Sequence, residues 1–171
     1  PIGGGTPVRL SPALGAGESI APNFQLTPDG ETLVFLSDLN VNDTFELLAV
    51  DVDDGTLTTL TPGVNLGAGA SFQISPDGDT VVFRSNQNVG GNNPDENFEL
   101  FAVAITGGTV TRITADLPDA GDVEDGFVIS PDGNTVVYRA DQTTDGVIEL
   151  YVAPVTGGTG NSLRLNTALE M

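Results

Sequence analysis

Apolar side chains come in short runs broken by Gly, Pro, Asp and Asn, and no window sustains the three-to-four-residue recurrence of an amphipathic helix. Three runs begin with Phe: Phe24-Gln25-Leu26, Phe72-Gln73-Ile74 and Phe127-Val128-Ile129. Each leads into the same tetrapeptide, Thr27-Pro28-Asp29-Gly30, Ser75-Pro76-Asp77-Gly78 or Ser130-Pro131-Asp132-Gly133. Each then resumes as Thr32-Leu33-Val34-Phe35, Thr80-Val81-Val82-Phe83 or Thr135-Val136-Val137-Tyr138. β-Branched and aromatic runs on either side predict strands. Between them Pro fixes φ, Asp accepts a local backbone bond and Gly supplies positive φ, so the tetrapeptide predicts a hairpin reversal.

The pattern continues with Phe45-Glu46-Leu47-Leu48-Ala49-Val50, Phe98-Glu99-Leu100-Phe101-Ala102-Val103 and Ile148-Glu149-Leu150-Tyr151-Val152-Ala153, each a third strand. Asp53-Asp54-Gly55-Thr56, Thr106-Gly107-Gly108-Thr109 and Thr156-Gly157-Gly158-Thr159 then turn the chain into a fourth, over 57–60, 110–113 and 163–165. Asp29, Asp77 and Asp132 are 48 and 55 positions apart. Four short antiparallel strands per repeat of about 50 residues is the signature of a propeller blade. The expected fold is all-β: three antiparallel four-stranded propeller blades plus an extra N-terminal strand, with almost no helix.

Composition narrows the chemistry. The 171 residues carry 24 Asp+Glu against 5 Lys+Arg, a net charge of -19, and have no His and no Cys. The five bases are all Arg: Arg9, Arg84, Arg112, Arg139 and Arg164. Thiolate nucleophiles, Cys/His zinc sites, a His general base, a Schiff-base Lys and a phosphate-loop Lys are all excluded. The expectation is a protein that is not an enzyme. So acidic a chain is repelled by phosphate backbones and anionic lipid, which excludes nucleic acid as a partner. No apolar stretch approaches the roughly 18 residues of a membrane span, so no membrane insertion is expected.

The repeated pattern, Phe-x-Ile/Leu-Ser/Thr-Pro-Asp-Gly-x-Thr-Val-Val-Phe/Tyr followed by Glu-Leu-Phe/Tyr-x-Val and a Gly-Gly-Thr turn, resembles the WD40-like repeat of TolB-type propellers over essentially the whole chain. That repeat occurs in periplasmic and surface interaction proteins and in propellers attached to serine peptidases. The resemblance implies a propeller, protein partners and an extracellular or periplasmic location for a processed or excised chain. The Ser-Asp-Arg-Asp-Gly loop common after the second strand of such repeats is replaced here by Ser37-Asp38-Leu39-Asn40-Val41-Asn42-Asp43, and nothing matches a peptidase domain.

The N-terminal Pro7-Val8-Arg9-Leu10 lines up with Ser162-Leu163-Arg164-Leu165, so residues 1–12 read as the end of a preceding blade, followed by blades over 13–61, 62–114 and 115–171. Three blades and an orphan strand cannot close a ring, which takes about four or more blades. Either the chain is a segment of a longer repeat protein, or its orphan strand, Thr6, Pro7, Val8, Arg9 and Leu10, is an interaction edge that pairs with an identical subunit. Both readings predict an assembly rather than an isolated monomer. Both leave open flanks, expected to carry Phe24, Phe35, Phe127 and Tyr138.

The acids supply the remaining candidate chemistry. Asp38, Asn40, Asn42 and Asp43, with Asn92, Asn93 and Asp95 and with Asp141 and Asp145, cluster oxygens in the loops between second and third strands. These are hard ligands of the kind Ca²⁺ takes, so calcium is the one candidate cofactor. The competing reading is turn chemistry, in which Asx side chains bond their own backbone. In a blade these long loops lie opposite the short Pro-Asp-Gly turns, and the long-loop face is expected to be the strongly negative one. Glu99 is expected to face Arg84 across the second and third strands, and Glu149 to face Arg139, as exposed pairs contributing only ~0.2–1 kcal/mol. Phe24, Phe72 and Phe127, like Phe35, Phe83 and Tyr138, are expected between blades. Two functions fit: a propeller recognition module that binds protein or another ligand, and a structural subunit that self-assembles through blade edges into a ring or filament.

Overall fold

A computed structural model describes residues 9–91, 93–118, 121–158 and 161–166. The first sheet is β1 (Ile20–Leu26), β2 (Thr32–Ser37), β3 (Glu46–Asp51) and β4 (Leu57–Thr59). The second is β5 (Phe72–Ile74), β6 (Thr80–Ser85), β7 (Glu99–Ala104) and β8 (Thr111–Arg112). The third is β9 (Val128–Ile129), β10 (Thr135–Ala140), β11 (Glu149–Pro154) and β12 (Leu163–Arg164). Every sheet is antiparallel, with its strands in sequence order. Among the described residues the only helical segment is a three-residue 3₁₀ turn, Val89–Gly91.

The repeated tetrapeptide is a self-satisfied turn. The Gly30, Gly78 and Gly133 amides each donate to the Thr27, Ser75 or Ser130 carbonyl at 2.9 Å. The first hydroxyl accepts from Thr32, Thr80 or Thr135 across the mouth of the turn at 2.9–3.0 Å. It also donates to the Asp carboxylate, which takes a further amide bond from Glu31, Asp79 or Asn134. The bonds from the Ser130 hydroxyl and from Asn134 hold the Asp132 carboxyl down at about 2. Gly30, Gly78 and Gly133 have φ of 81, 84 and 75°, where a Cβ would be strained.

The middle strands of the first two sheets are largely buried on both faces, whereas β10 and β11 bury the face turned toward the second blade and leave Arg139 and Leu150 exposed on the other. Val34, Leu36, Leu47 and Ala49 of the first sheet pack with Phe72, Val81, Phe83, Phe101 and Val103 of the second. On the far side of the second sheet, Val82, Leu100 and Ala102 pack with Phe127, Val136, Tyr138 and Tyr151 of the third. Cross-strand aromatic pairs, Phe83 with Phe101 and Tyr138 with Tyr151, stack with centroids 5.6 and 5.8 Å apart. The aromatic face of each sheet is therefore its leading face. That corrects one expectation: Phe127 and Tyr138 are buried between the second and third blades, not on an open flank, and Phe35 is buried as well.

Two further expectations are revised. Arg84 lies opposite Leu100 and Arg139 opposite Leu150, while Glu99 and Glu149 face Ser85 and Ala140. A one-residue difference in register puts each Arg on the other side of its sheet from the Glu, because side chains alternate along a strand. The Glu residues pair instead with the neighbouring outer strand, Glu99 with Arg112 at 3.0 Å and Glu149 with Arg164 at 3.2 Å, and both are buried. At the N-terminus, Thr6, Pro7 and Val8 lie outside the described residues, and Arg9 and Leu10 are not in a strand. Leu10 nevertheless packs against Phe35, Leu48 and Val50, as Leu60 and Ile113 at the ends of the outer strands pack against the blades that follow them.

Candidate interaction surface

Four of the candidate calcium ligands, Asp38, Asn40, Asn93 and Asp141, are engaged with protein. Asp38 and its repeat equivalent Asp141 are buried where the second strand ends. Asp38 accepts from the Ser19 amide at 2.6 Å and the Asp43 amide at 3.3 Å; Asp141 accepts from Asp122 at 2.6 Å and Gly146 at 2.9 Å. Each ties its own loop to the incoming segment of the blade, and the Ser19 amide bond holds the Asp38 carboxyl below its usual range. Asn40 donates to Glu46 at 2.6 Å, and Asn93, buried, donates to the Asn97 carbonyl at 2.7 Å. Asn42, Asp43, Asp95 and Asp145 are exposed, with Asp43 at a φ of 62°. Asn92 lies outside the described residues. Among the described residues no group of three or more Asp or Glu is placed to hold a metal ion.

The three repeated Glu residues have different surroundings. Both Glu46 oxygens are bonded, to the Gly63 amide and to Asn40. Both Glu149 oxygens are bonded too, to Arg164, Asn166 and Tyr151. Burial alone would raise the Glu149 carboxyl, but its bonds from Arg164 and Tyr151 outweigh that and hold it low. Glu99 has one bonded oxygen and one buried oxygen without a hydrogen-bond partner, and burial pushes its carboxyl up to about 7 against the pull of Arg112. Arg112 also reaches Asp116, at the rim of an open groove of about 540 Å³ lined by Pro94, Asp95 and Thr109.

Exposed acid is not confined to the long-loop end. Asp43, Asp95, Glu96, Asp116, Asp125 and Asp145 stand there, but Asp29, Glu31, Asp53, Asp54, Asp77, Asp79 and Asp132 are exposed at the short-turn end. Three of these, Asp29, Asp77 and Asp132, belong to the turn tetrapeptide itself, and among the described residues the expected asymmetry is absent.

The distinctive surfaces are the two flanks. On the leading side, Phe72 and Phe127 are 3% and 2% exposed, whereas Phe24, the same position of the first blade, is 63% exposed. Leu26 and Ile20 are exposed beside it, and Ser11, Ile20, Phe24, Leu33 and Phe35 line a mostly apolar hollow of about 200 Å³. On the trailing side, Leu47 and Leu100 are fully buried, whereas Leu150 is 42% exposed. Leu60 and Ile113 are likewise fully buried and Leu165 is 54% exposed. Val128 and Leu163 complete this apolar face, and Arg139 stands exposed on it. Of these residues the sequence singles out Phe24 and Phe35; the trailing set is legible only by carrying burial from repeat to repeat.

Polar bonds join the internal interfaces. Gln25 donates to the Phe72 carbonyl at 2.7 Å and accepts from the Ile74 amide at 3.2 Å. Gln73 does the same to Phe127 and Ile129, at 2.5 and 3.4 Å. In the third blade Val128 holds this place. Arg84 lies 3.6 Å above the Phe98 ring, donates to the Val123 carbonyl at 2.5 Å and meets Asp125 at 3.3 Å. Its third-blade equivalent, Arg139, has no acidic side chain within ion-pair distance among the described residues.

An all-β body of antiparallel four-stranded propeller blades is the class these observations define. The chain resembles the putative TolB from Agrobacterium tumefaciens (TM-score 0.56, 23% identity), over 94% of this chain and 52% of that one. It also resembles TolB from Acinetobacter baumannii (TM-score 0.54, 22% identity, 87% of this chain and 32% of that one). A third similar structure is oligogalacturonate lyase from Vibrio parahaemolyticus (TM-score 0.62, 15% identity, 91% and 42%). No family model and no curated protein matches the sequence. The chain spans about half the length of the first of these structures and about a third of the second. At such identities the likeness shows the fold, which TolB proteins share with a lyase. Among the described residues no helix is long and apolar enough to cross a membrane.

Proposed function

We propose that this chain is a non-enzymatic propeller-repeat module that binds protein through its open blade flanks, in an extracellular or periplasmic setting. One observation carries the reading: positions that are sealed between blades in two repeats stand in solvent at both ends of the array, Phe24 on one side and Leu150 and Leu165 on the other. Fully burying such a side chain is worth roughly 1.5–3 kcal/mol, so two open flanks forfeit an amount comparable to the stability of a whole domain. A protein surface is the natural cover. The repeat's resemblance to those of periplasmic and surface interaction proteins supports both the partner class and the location. With no His, Lys or Cys, the chain lacks an imidazole base, an amine nucleophile and a thiol nucleophile.

The test is a photo-crosslinking amino acid placed at 24 or at 163, both exposed, and, as control, at 54 in an exposed short turn. Crosslinks to protein in the producing cells or their medium should concentrate at 24 and 163. Crosslinks equally frequent at 54, or none at the flanks, would refute the reading.

A further inference from the structure

Resting on the reading of the flanks as protein-binding, we propose that the occupant of the third blade's trailing face is the leading face of the first blade of a second copy of this chain, docked head to tail. Both internal interfaces join a trailing face to a leading face, and the two open flanks are one of each kind. The repeat equivalences fix the register. Leu47 and Leu100 pack into the clusters beside Phe72 and Phe127, so Leu150 enters the hollow beside Phe24 and Ile20. Arg84 donates to the Val123 carbonyl. Val123 bridges Ala140 as Ile20 bridges Ser37, so the unpaired Arg139 is placed to donate to the Ile20 carbonyl of the other copy.

Two features make this contact weaker than the internal ones. Val128 stands where Gln25 and Gln73 clamp the next blade, so that pair of hydrogen bonds is missing. Leu10 already occupies, against Phe35 and Leu48, the seat that the incoming Leu165 would take, so docking requires one to displace the other. The heavily negative copies also repel one another, and added salt should strengthen an association held by apolar contact. A head-to-tail contact is heterologous and closes a ring or grows a filament.

Sedimentation velocity on the intact chain, from micromolar to submillimolar concentration and at low and high salt, reads the association directly. Phe24→Asp and Val128→Asp alter residues 63% and 62% exposed in the monomer, so both variants should keep their circular-dichroism spectrum. Each should be monomeric alone. Mixed, they should form a one-to-one dimer, because each retains the face the other has lost. Val128→Gln restores the clamp and should tighten association roughly tenfold. Leu150→Asp serves as a second trailing-face block should Val128→Asp misfold. A wild-type chain that stays monomeric throughout, association that survives both blocks, blocked variants that fail to recombine, or a Val128→Gln chain no tighter than wild type would overturn the proposal. Flank crosslinks to a different protein, with no self-association, would overturn it while leaving the protein-binding reading standing.

Discussion

Replacing Glu99 with Gln should reshape the pH dependence of stability. Glu99 is 3% exposed, with one oxygen held by Arg112 at 3.0 Å and the other unbonded. Burial raises its carboxyl from an ordinary 4.5 to about 7. The folded state therefore binds this proton more tightly than the unfolded chain. Stability from this source is complete below pH 4.5, falls as pH rises toward 7 and is lost above it. A displacement of this size is worth roughly 3 kcal/mol. Gln does not titrate, so the stability of the variant minus that of the wild type should grow by about 2–3 kcal/mol between about pH 5 and about pH 8.5. Most other carboxylates cancel in the difference; Arg112, Asp116 and Asp95 act on Glu99 directly and should be kept intact. Urea unfolding followed by circular dichroism at a series of pH values provides the measurement. Glu149→Gln is the control of opposite sign, since that carboxyl is held low and its stabilisation is lost as pH falls. A Glu99→Gln difference that is flat across the range would refute the reasoning.

Removing the Gln73 clamp with Gln73→Leu should cost roughly 1–3 kcal/mol in urea unfolding and speed hydrogen exchange at the Ile129 amide; an unchanged midpoint would show the clamp to be idle. Gly55 and Gly157 have similar positive φ, 76 and 74°, but a Cβ on Gly157 would lie 2.5 Å from the Arg112 carbonyl oxygen while one on Gly55 meets nothing. Gly55→Ala should therefore lose about 1 kcal/mol and Gly157→Ala clearly more, in the same assay; equal losses would mean that the turn does not press on the second blade. Millimolar Ca²⁺ against chelator at matched ionic strength should leave the melting temperature unchanged, because the Asp38 and Asp141 oxygens already accept backbone bonds; a rise would restore the loops as a calcium site.

The strands were legible because three levels of pattern agreed at each one. Thr80-Val81-Val82-Phe83 is β-branched, follows a Pro-Asp-Gly turn and repeats at a fixed place, and β6 begins at Thr80. The turn bonds around Asp29, Asp77 and Asp132 follow from chemistry confined to a few consecutive residues. What the sequence did not disclose was side. The Glu99 and Arg84 pairing failed by one residue, and on a pleated sheet one residue exchanges the faces. Residue type does not say which face of a blade looks forward when Val34 and Phe35 are both apolar and both buried.

The same ambiguity concealed the candidate surface, and the repeats resolve it once one interface is known. With Phe72 and Phe83 placed against the first blade, their repeat equivalents Phe24, Phe35, Phe127 and Tyr138 must look backward, and Leu47, Leu100 and Leu150 must look forward. Phe24 then has no blade before it in this array, and Leu150 has none after it. Differences between repeats therefore carry more functional information than their similarities. Val128 for Gln is a change that an internal blade would answer with two lost hydrogen bonds, since the carbonyl and amide met by Gln73 would lose their partner. In the described array no blade packs on Val128, and the apolar residue extends the exposed face formed by Leu150 and Leu163.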